Sequence, residues 1–286
     1  MLVGFICTKL RLIDDNSRKT LIDLLLCVFL PCSILSSFFF TSRSELPVFG
    51  IVFLISVLII VFSFIFSKYI FYRKAKSEQK KVLIYATVVS NAGLIGTPMI
   101  EGIYGIDTLI YVAAYLIPIR VALWTIGVAI FAAQKSSIIK VIFHPSMIAT
   151  YIGLLVIITG YTPFPLAHRV IFSLGGCLTP VSMIVVGSIL GTVKPENLFT
   201  GWIAYFTVIR LILIPIMVMG IMTIFRLDSI LLGVAVVLSG TPAGTTTSIL
   251  ADKYGSDREF ASKIVFVTTL LSIFTIPALV FLLQYL

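Results

Sequence analysis

Residues that could handle a small charged molecule stand in the middle of apolar runs. Asn91 lies within Ser90-Asn91-Ala92-Gly93-Leu94-Ile95-Gly96-Thr97-Pro98, and a later stretch, Ser239-Gly240-Thr241-Pro242-Ala243-Gly244, repeats the same residue types. An amide such as that of Asn91 can donate to a carboxylate, and burying it costs less than burying a charge. Arg120 and Arg210 stand near the centres of two further apolar segments, 108–134 and 197–225. A lone Arg at mid-membrane costs at least about 2.5–3.5 kcal/mol, so each should face protein or water and have a partner. No Asp or Glu occurs mid-span to neutralise either one. The remaining counter-charges are opened backbone carbonyls, or an anion that arrives and leaves.

Both stretches should break the helix that carries them. Pro lacks a backbone donor and clashes with the preceding turn, while Gly adds backbone freedom. Pro98 and Pro242 are expected to mark the breaks. Each N–H or C=O opened inside hydrocarbon costs several kcal/mol, so such breaks persist where the freed groups face protein, a cavity or a substrate. Two of them at matching places in two halves of a chain point to the site of a secondary transporter.

Composition sets the class. Of 286 residues, 59% are hydrophobic and only 12% charged, and mean hydropathy is +1.14. A soluble domain carries about 25% charge, so the chain reads as a polytopic membrane protein. Lys9 and Arg11 follow the first apolar stretch instead of preceding it, which argues against a cleavable signal. Nine long apolar spans follow a short stub at residues 1–8: 21–41, 46–67, 82–100, 108–134, 141–162, 170–193, 197–225, 229–251 and 264–286. A Pro163/Pro165 turn closes the fifth of these.

Matches recur at a fixed offset. Pro31 and Pro180, Ser33 and Ser182, and Ser90 and Ser239 are each 149 apart; Tyr104-Gly105 and Tyr254-Gly255, and Asp107 and Asp257, are 150 apart. Such periodicity indicates duplication: residues 1–134 form a first repeat and 135–286 a second. An odd number of spans per unit makes the repeats inverted. The offset maps Val141 to a position before Met1, so the first helix is expected to be truncated. Alternate loops then divide the charges unequally. Sixteen of the 21 Lys and Arg fall on one side, among them Lys68, Arg73, Lys74, Lys76, Lys80, Lys81, Lys135, Lys140, Lys194 and Lys253, and three on the other, Arg43, Arg169 and Arg226. The positive-inside rule places the richer side in the cytoplasm and both termini outside, in a multi-pass protein of the cell membrane. The net charge of +9 is thereby explained without nucleic acid.

The chain resembles the auxin efflux carrier family of permeases. The likeness rests on Gly4–Asp14, Leu30-Pro31-Cys32-Ser33, Asn91 through Pro98 with Tyr104-Gly105, and Trp124-Thr125-Ile126-Gly127. In the second half it rests on Arg210-Leu211-Ile212-Leu213-Ile214-Pro215 and Thr241-Pro242-Ala243-Gly244 through Tyr254-Gly255. The resemblance implies an all-α fold of two inverted five-helix repeats, with crossed broken helices four and nine. It also implies transport of small organic anions by an elevator-like movement.

The candidate substrate-binding residues are therefore Asn91, Gly93, Thr97, Pro98, Arg120, Gly240, Thr241 and Pro242. Plainer roles stand beside these. Asn91 could instead satisfy carbonyls freed by the break, the glycines could serve close helix approach, and Arg120 could be pinned by carbonyls. For Arg210 a structural tie and a binding role are equally open. Glu101 and Asp23, towards span ends, are candidate proton relays, and sodium bound by backbone carbonyls is the other coupling option. His144 and His168 read as interfacial packing. The cysteines Cys7, Cys27, Cys32 and Cys177 show no C-x-x-C spacing, and no metal or cofactor is implied. No phosphate loop points to ATP. The expected partners are a small organic anion, the lipid bilayer and H⁺ or Na⁺, with a second copy of the chain as a further candidate. An intramembrane lipid or prenyl transferase, the alternative, would need mid-depth acidic, His or Cys clusters; a channel is the third class. Exchange of substrate across the membrane separates a carrier from both.

Overall fold

Nearly every described residue is helical, as hydrocarbon requires: a helix satisfies its own backbone polar groups where water cannot. The computed structural model describes residues 2–39, 46–71, 77–132, 142–160, 164–192 and 200–285. Outside them lie Arg43, Arg73, Lys74, Lys76, Lys135, Lys140 and Lys194, the Pro163 turn and the 134/135 boundary, together with the side chains of Trp124 and Lys253. In chain order the helices are α1 (Leu2–Lys9), α2 (Asp15–Leu24), α3 (Leu30–Phe39), α4 (Leu46–Phe71), α5 (Ser77–Val88), α6 (Thr97–Tyr104), α7 (Leu109–Ala122) and α8 (Val128–Ala132). Then follow α9 (Pro145–Thr159), α10 (Pro165–Gly176), α11 (Leu178–Thr192), α12 (Gly201–Val208), α13 (Ile214–Ile224), α14 (Ser229–Ser239), α15 (Thr246–Lys253) and α16 (Arg258–Leu283). Wider π-helical turns occupy Leu25–Phe29, Ala92–Gly96, Leu123–Gly127 and Ile209–Leu213.

Six stretches among the described residues are long and apolar enough to cross a membrane: Asp15–Ser36, Leu46–Phe71, Ile106–Phe131, Pro165–Ser188, Gly201–Ile224 and Arg258–Leu283. They match six of the nine expected spans. Two others, at 82–100 and 229–251, are each divided between two shorter helices, and α9 covers the middle of the remaining one. Large apolar side chains stand exposed along α4, including Leu54, Leu58 and Ile65. An exposed apolar surface of that extent suits lipid and not water. The protein is an all-α, multi-pass membrane protein.

Helix starts follow from capping chemistry. Asp14 accepts from the Ser17 amide at 2.7 Å ahead of α2, and Asp257 accepts from the Phe260 amide at 3.0 Å ahead of α16. Each satisfies one of the donors that a helix start leaves open.

The chain forms two compact units. The first comprises Met1–Val52, Gly93–Ile117 and Ile139–Thr192. Its core joins Leu25, Leu30, Ile34 and Phe38 to Leu94, Ile110, Ala149, Ile157, Leu178 and Val185. Here α1 packs on α11 so closely that a Cβ at Gly4 would fall on the Ile184 carbonyl. Arg18 ties α2 to α11, donating from Nε to Ser188 Oγ at 2.9 Å and pairing through Nη1 with Asp15 at 2.7 Å. The second unit comprises Phe53–Ala92, Pro118–Ile138 and Val193–Leu286. In it α16 packs against α5, α12, α14 and α15, and Phe71 meets Trp202, Tyr205 and Phe206 in an aromatic cluster.

Candidate functional site

The second unit contains both helix breaks. The first helix run stops at Val88 and resumes with the π turn at Ala92; the second stops at Ser239 and resumes at Thr246. Ser90 and Ala243 face each other in an isolated antiparallel bridge. The Asn91 amide donates to the Pro242 carbonyl at 2.8 Å, and the Gly244 amide donates to the Val89 carbonyl at 3.1 Å. Each break thus supplies the polar groups that the other needs, which answers the cost of opening a helix in an apolar setting. The Ala243 amide is taken by Thr268 Oγ1 on α16 at 3.2 Å.

Close approach explains one glycine at this junction. A Cβ on Gly244 would stand 3.2 Å from the Val89 carbonyl oxygen and 3.4 Å from that of Ser90. Gly240 is tight for a different reason, since a Cβ there would meet Leu279 at 2.7 Å. Gly93 has ordinary room, with its nearest neighbour, Leu30 Cδ2, at 3.9 Å. Thr241 is fully buried, and its hydroxyl donates to the Leu238 carbonyl at 2.7 Å, closing the end of α14.

Asn91 is buried, and its Nδ2 has no hydrogen-bond partner among the described residues. Its backbone is fixed by Pro242, so the side chain is presented from a pinned point. A buried donor left unpaired costs about 1–3 kcal/mol, and an arriving acceptor would recover it. The two arginines differ sharply. Arg210, 2% exposed, donates from Nη1 to the Thr87 carbonyl at 3.3 Å. Arg120, partly buried on α7 two residues beyond Pro118, makes no hydrogen bond or ion pair with another described residue.

Tyr85 was not singled out from sequence. Its ring is fully buried, lies edge-on to Phe131 at 5.4 Å and covers Gly127, while its hydroxyl shares a 2.7 Å hydrogen bond with Thr246 Oγ1 at the start of α15. An aromatic residue in an apolar helix gives no local sign of such a bond.

Gly93, Thr97, Pro98 and Glu101 belong to the first unit. Thr97 and Pro98 are buried in the opening turn of α6. Glu101 Oε2 accepts from Thr179 Oγ1 of α11 at 2.6 Å. His168 in the same unit stacks near Phe39 and Phe172, the packing role expected of it.

Proteins with similar sequences carry the names of transporters. One relative, from Rhizobium meliloti (strain 1021), is named "Putative malonate transporter"; it is 24% identical over 79% of this chain and 74% of its own length. Another, from Methanothermobacter thermautotrophicus, is named "Uncharacterized transporter" and is 24% identical over 97% of this chain and 93% of its own length. The family described as membrane transport protein matches residues 1–138 and 129–280, almost the whole chain. With its two broken helices and its apolar spans, the chain belongs to that family, the auxin efflux carrier permeases.

Proposed function

We propose that this protein is a secondary carrier for small organic anions, with dicarboxylates of malonate size as its leading substrates, and that it works by alternating access. The observation that carries the reading is the buried Asn91 amide, held at the junction of two helix breaks with Nδ2 unpaired among the described residues. A substrate carboxylate would accept from that donor. The malonate relative supports the substrate class.

In this reading Arg120 supplies the positive charge for a carboxylate, since no protein acceptor engages it among the described residues. Gly240, Thr241 and Pro242 shape the junction, and Gly93, Thr97 and Pro98 shape the segment that continues from Asn91. Arg210 is structural, because a carbonyl already engages it. Glu101 is the candidate for proton coupling, and its partner is the neutral hydroxyl of Thr179. The two sequence halves are inverted repeats, and both termini face away from the cytoplasm. The protein carries its substrate and does not transform it.

Counterflow in proteoliposomes tests the reading. Vesicles loaded with malonate should accelerate uptake of labelled malonate, with a panel of labelled mono- and dicarboxylates ranking the substrates. Uptake without acceleration would indicate a channel. Failure to move any acid on the panel would overturn the proposal.

A further inference from the structure

We propose that a cleft on α10 binds the phosphate of an anionic phospholipid. The cleft encloses about 280 Å³, is open on one side, and is lined by His168, Arg169, Phe172 and Ser173. These residues occupy one side of two successive helical turns. The walls are mainly apolar, and Arg169 brings a cation to them. Arg169 is exposed and makes no hydrogen bond or ion pair with another described residue.

Depth selects the ligand. The membrane-crossing stretch runs Pro165–Ser188, so the cleft lies about 5–12 Å along the helix from its start. A stretch of 24 residues, about 36 Å, overhangs a hydrocarbon core of about 30 Å by only about 3 Å at each end. The cleft therefore opens just inside the core edge, and the Arg169 side chain reaches back to the level of lipid phosphate and glycerol. A guanidinium there is costly against acyl chains alone and reaches outward for a charge. A phosphate accepts two parallel N–H bonds from the planar Arg fork, and the Ser173 hydroxyl can add a third donor. The His168 ring centroid is 5.3 Å from that of Phe39 and 6.4 Å from that of Phe172, to which it is nearly parallel, so two of the residues lining the cleft are aromatic rings in contact.

The surroundings favour a lipid over a free anion. Phe164, just ahead of α10, and Leu166 and Val170 on it are 66%, 62% and 49% exposed, and Phe172 is 45% exposed. They offer acyl chains an apolar surface continuous with the charged end. A soluble phosphate would use Arg169 and leave that surface unused.

Purified protein in phosphatidylcholine micelles is titrated with phosphatidylglycerol of matched acyl chains, and retained lipid is counted by native mass spectrometry. Wild type should retain phosphatidylglycerol in preference to phosphatidylcholine. Arg169→Gln should lower that retention about fivefold, the worth of one basic side chain near an anionic surface, and Arg169→Lys should keep most of it. Arg226→Gln, an exposed Arg beyond α13, should behave as wild type. An unaltered preference in Arg169→Gln would overturn the proposal, as would the absence of any preference in wild type. Should Arg169→Gln fail to fold, wild type alone decides. A photoreactive phosphatidylglycerol should label Pro165–Gly176, and unlabelled phosphatidylglycerol, unlike phosphatidylcholine, should compete it away. Labelling elsewhere, or equal competition by the two lipids, would overturn it.

Discussion

Arg210 donates to the Thr87 carbonyl at 3.3 Å, and that carbonyl is the one an unbroken helix would have given to Asn91. The Asn91 amide goes to Pro242 instead, so the Arg side chain replaces a lost helical hydrogen bond. Its π-helical turn, Ile209–Leu213, joins α12 to α13 and packs against α16. A buried charge is therefore tied to a break some 120 residues away in the chain by the carbonyl which that break released.

Removing this tie should damage folding before it damages substrate binding. Arg210→Met is expected to leave the Thr87 carbonyl buried and unpaired, at a cost of about 1–3 kcal/mol. Thermal unfolding in detergent should show a lowered midpoint, with substrate affinity of the folded fraction unchanged. A normal midpoint with weakened binding would reverse the assignment.

The junction itself depends on Gly244. Gly244→Val would press side-chain atoms against the Val89 and Ser90 carbonyls, at 3.2 and 3.4 Å already for Cβ, and should separate the two backbone bonds of the bridge. Overpacking of this kind costs about 1–3 kcal/mol. Amide hydrogen exchange at Asn91 should accelerate in the variant more than exchange in α4, which lies outside the junction.

Tyr85 gives a finer test of the same region. Tyr85→Phe keeps the ring over Gly127 and removes the bond to Thr246, at about 1 kcal/mol for one hydrogen bond. Gly127→Ala should cost more, because its Cβ meets the buried Tyr85 ring and the core has little room to give. Comparing the two unfolding midpoints checks the order.

Much of this was legible in sequence because hydrocarbon is a demanding solvent. Long uncharged runs such as residues 46–67 had no soluble alternative, and the structure gives α4 over Leu46–Phe71. The place of the first break was harder to read. Pro98 was the local signal, yet it lies inside the helical run that resumes at Ala92, just after the π turn Ala92–Gly96, and does not open the helix there. The helix opens seven residues or more earlier, at Val89–Asn91, because Ser90 pairs with Ala243. That pairing is tertiary, and no neighbour of Ser90 in the chain encodes it. At Pro242 local signal and tertiary bond coincide, so the second break lies where the sequence put it. The differing circumstances of Arg120 and Arg210 were likewise invisible, since both are single cations in similar apolar runs.

One pH effect follows from a helix cap. The Ser17 amide holds the Asp14 carboxyl below the usual carboxylate range. A depressed folded value means that the cap contributes stability above the unfolded value, and that this is lost as pH falls through the folded one. The start of α2 should therefore loosen below about pH 4. Exchange of the Ser17 amide, corrected for its intrinsic pH dependence, should rise there in wild type and stay flat in Asp14→Asn, whose side chain caps without titrating.

Arg120 carries the sharpest consequence of the proposed function. A guanidinium on a membrane-crossing helix, partly buried and with no bond to another described residue, suits a charge that comes and goes. Arg120→Gln removes that charge but breaks no hydrogen bond or ion pair among the described residues. The variant should express, fold and unfold near the wild-type temperature, unlike Arg210→Met. Its affinity should fall for monoanions and fall further for dianions, because the second carboxylate of a dianion has no other cation offered to it by this reading. Charge-assisted hydrogen bonds are worth about 1.5–3 kcal/mol, so binding of a dicarboxylate should weaken roughly ten- to a hundredfold. Equilibrium binding of labelled malonate and acetate to the purified variant measures both terms. Equal affinity to wild type for the dianion would remove Arg120 from the site. A variant that unfolds early would instead make Arg120 a second structural tie and leave Asn91 to hold the substrate by its amide.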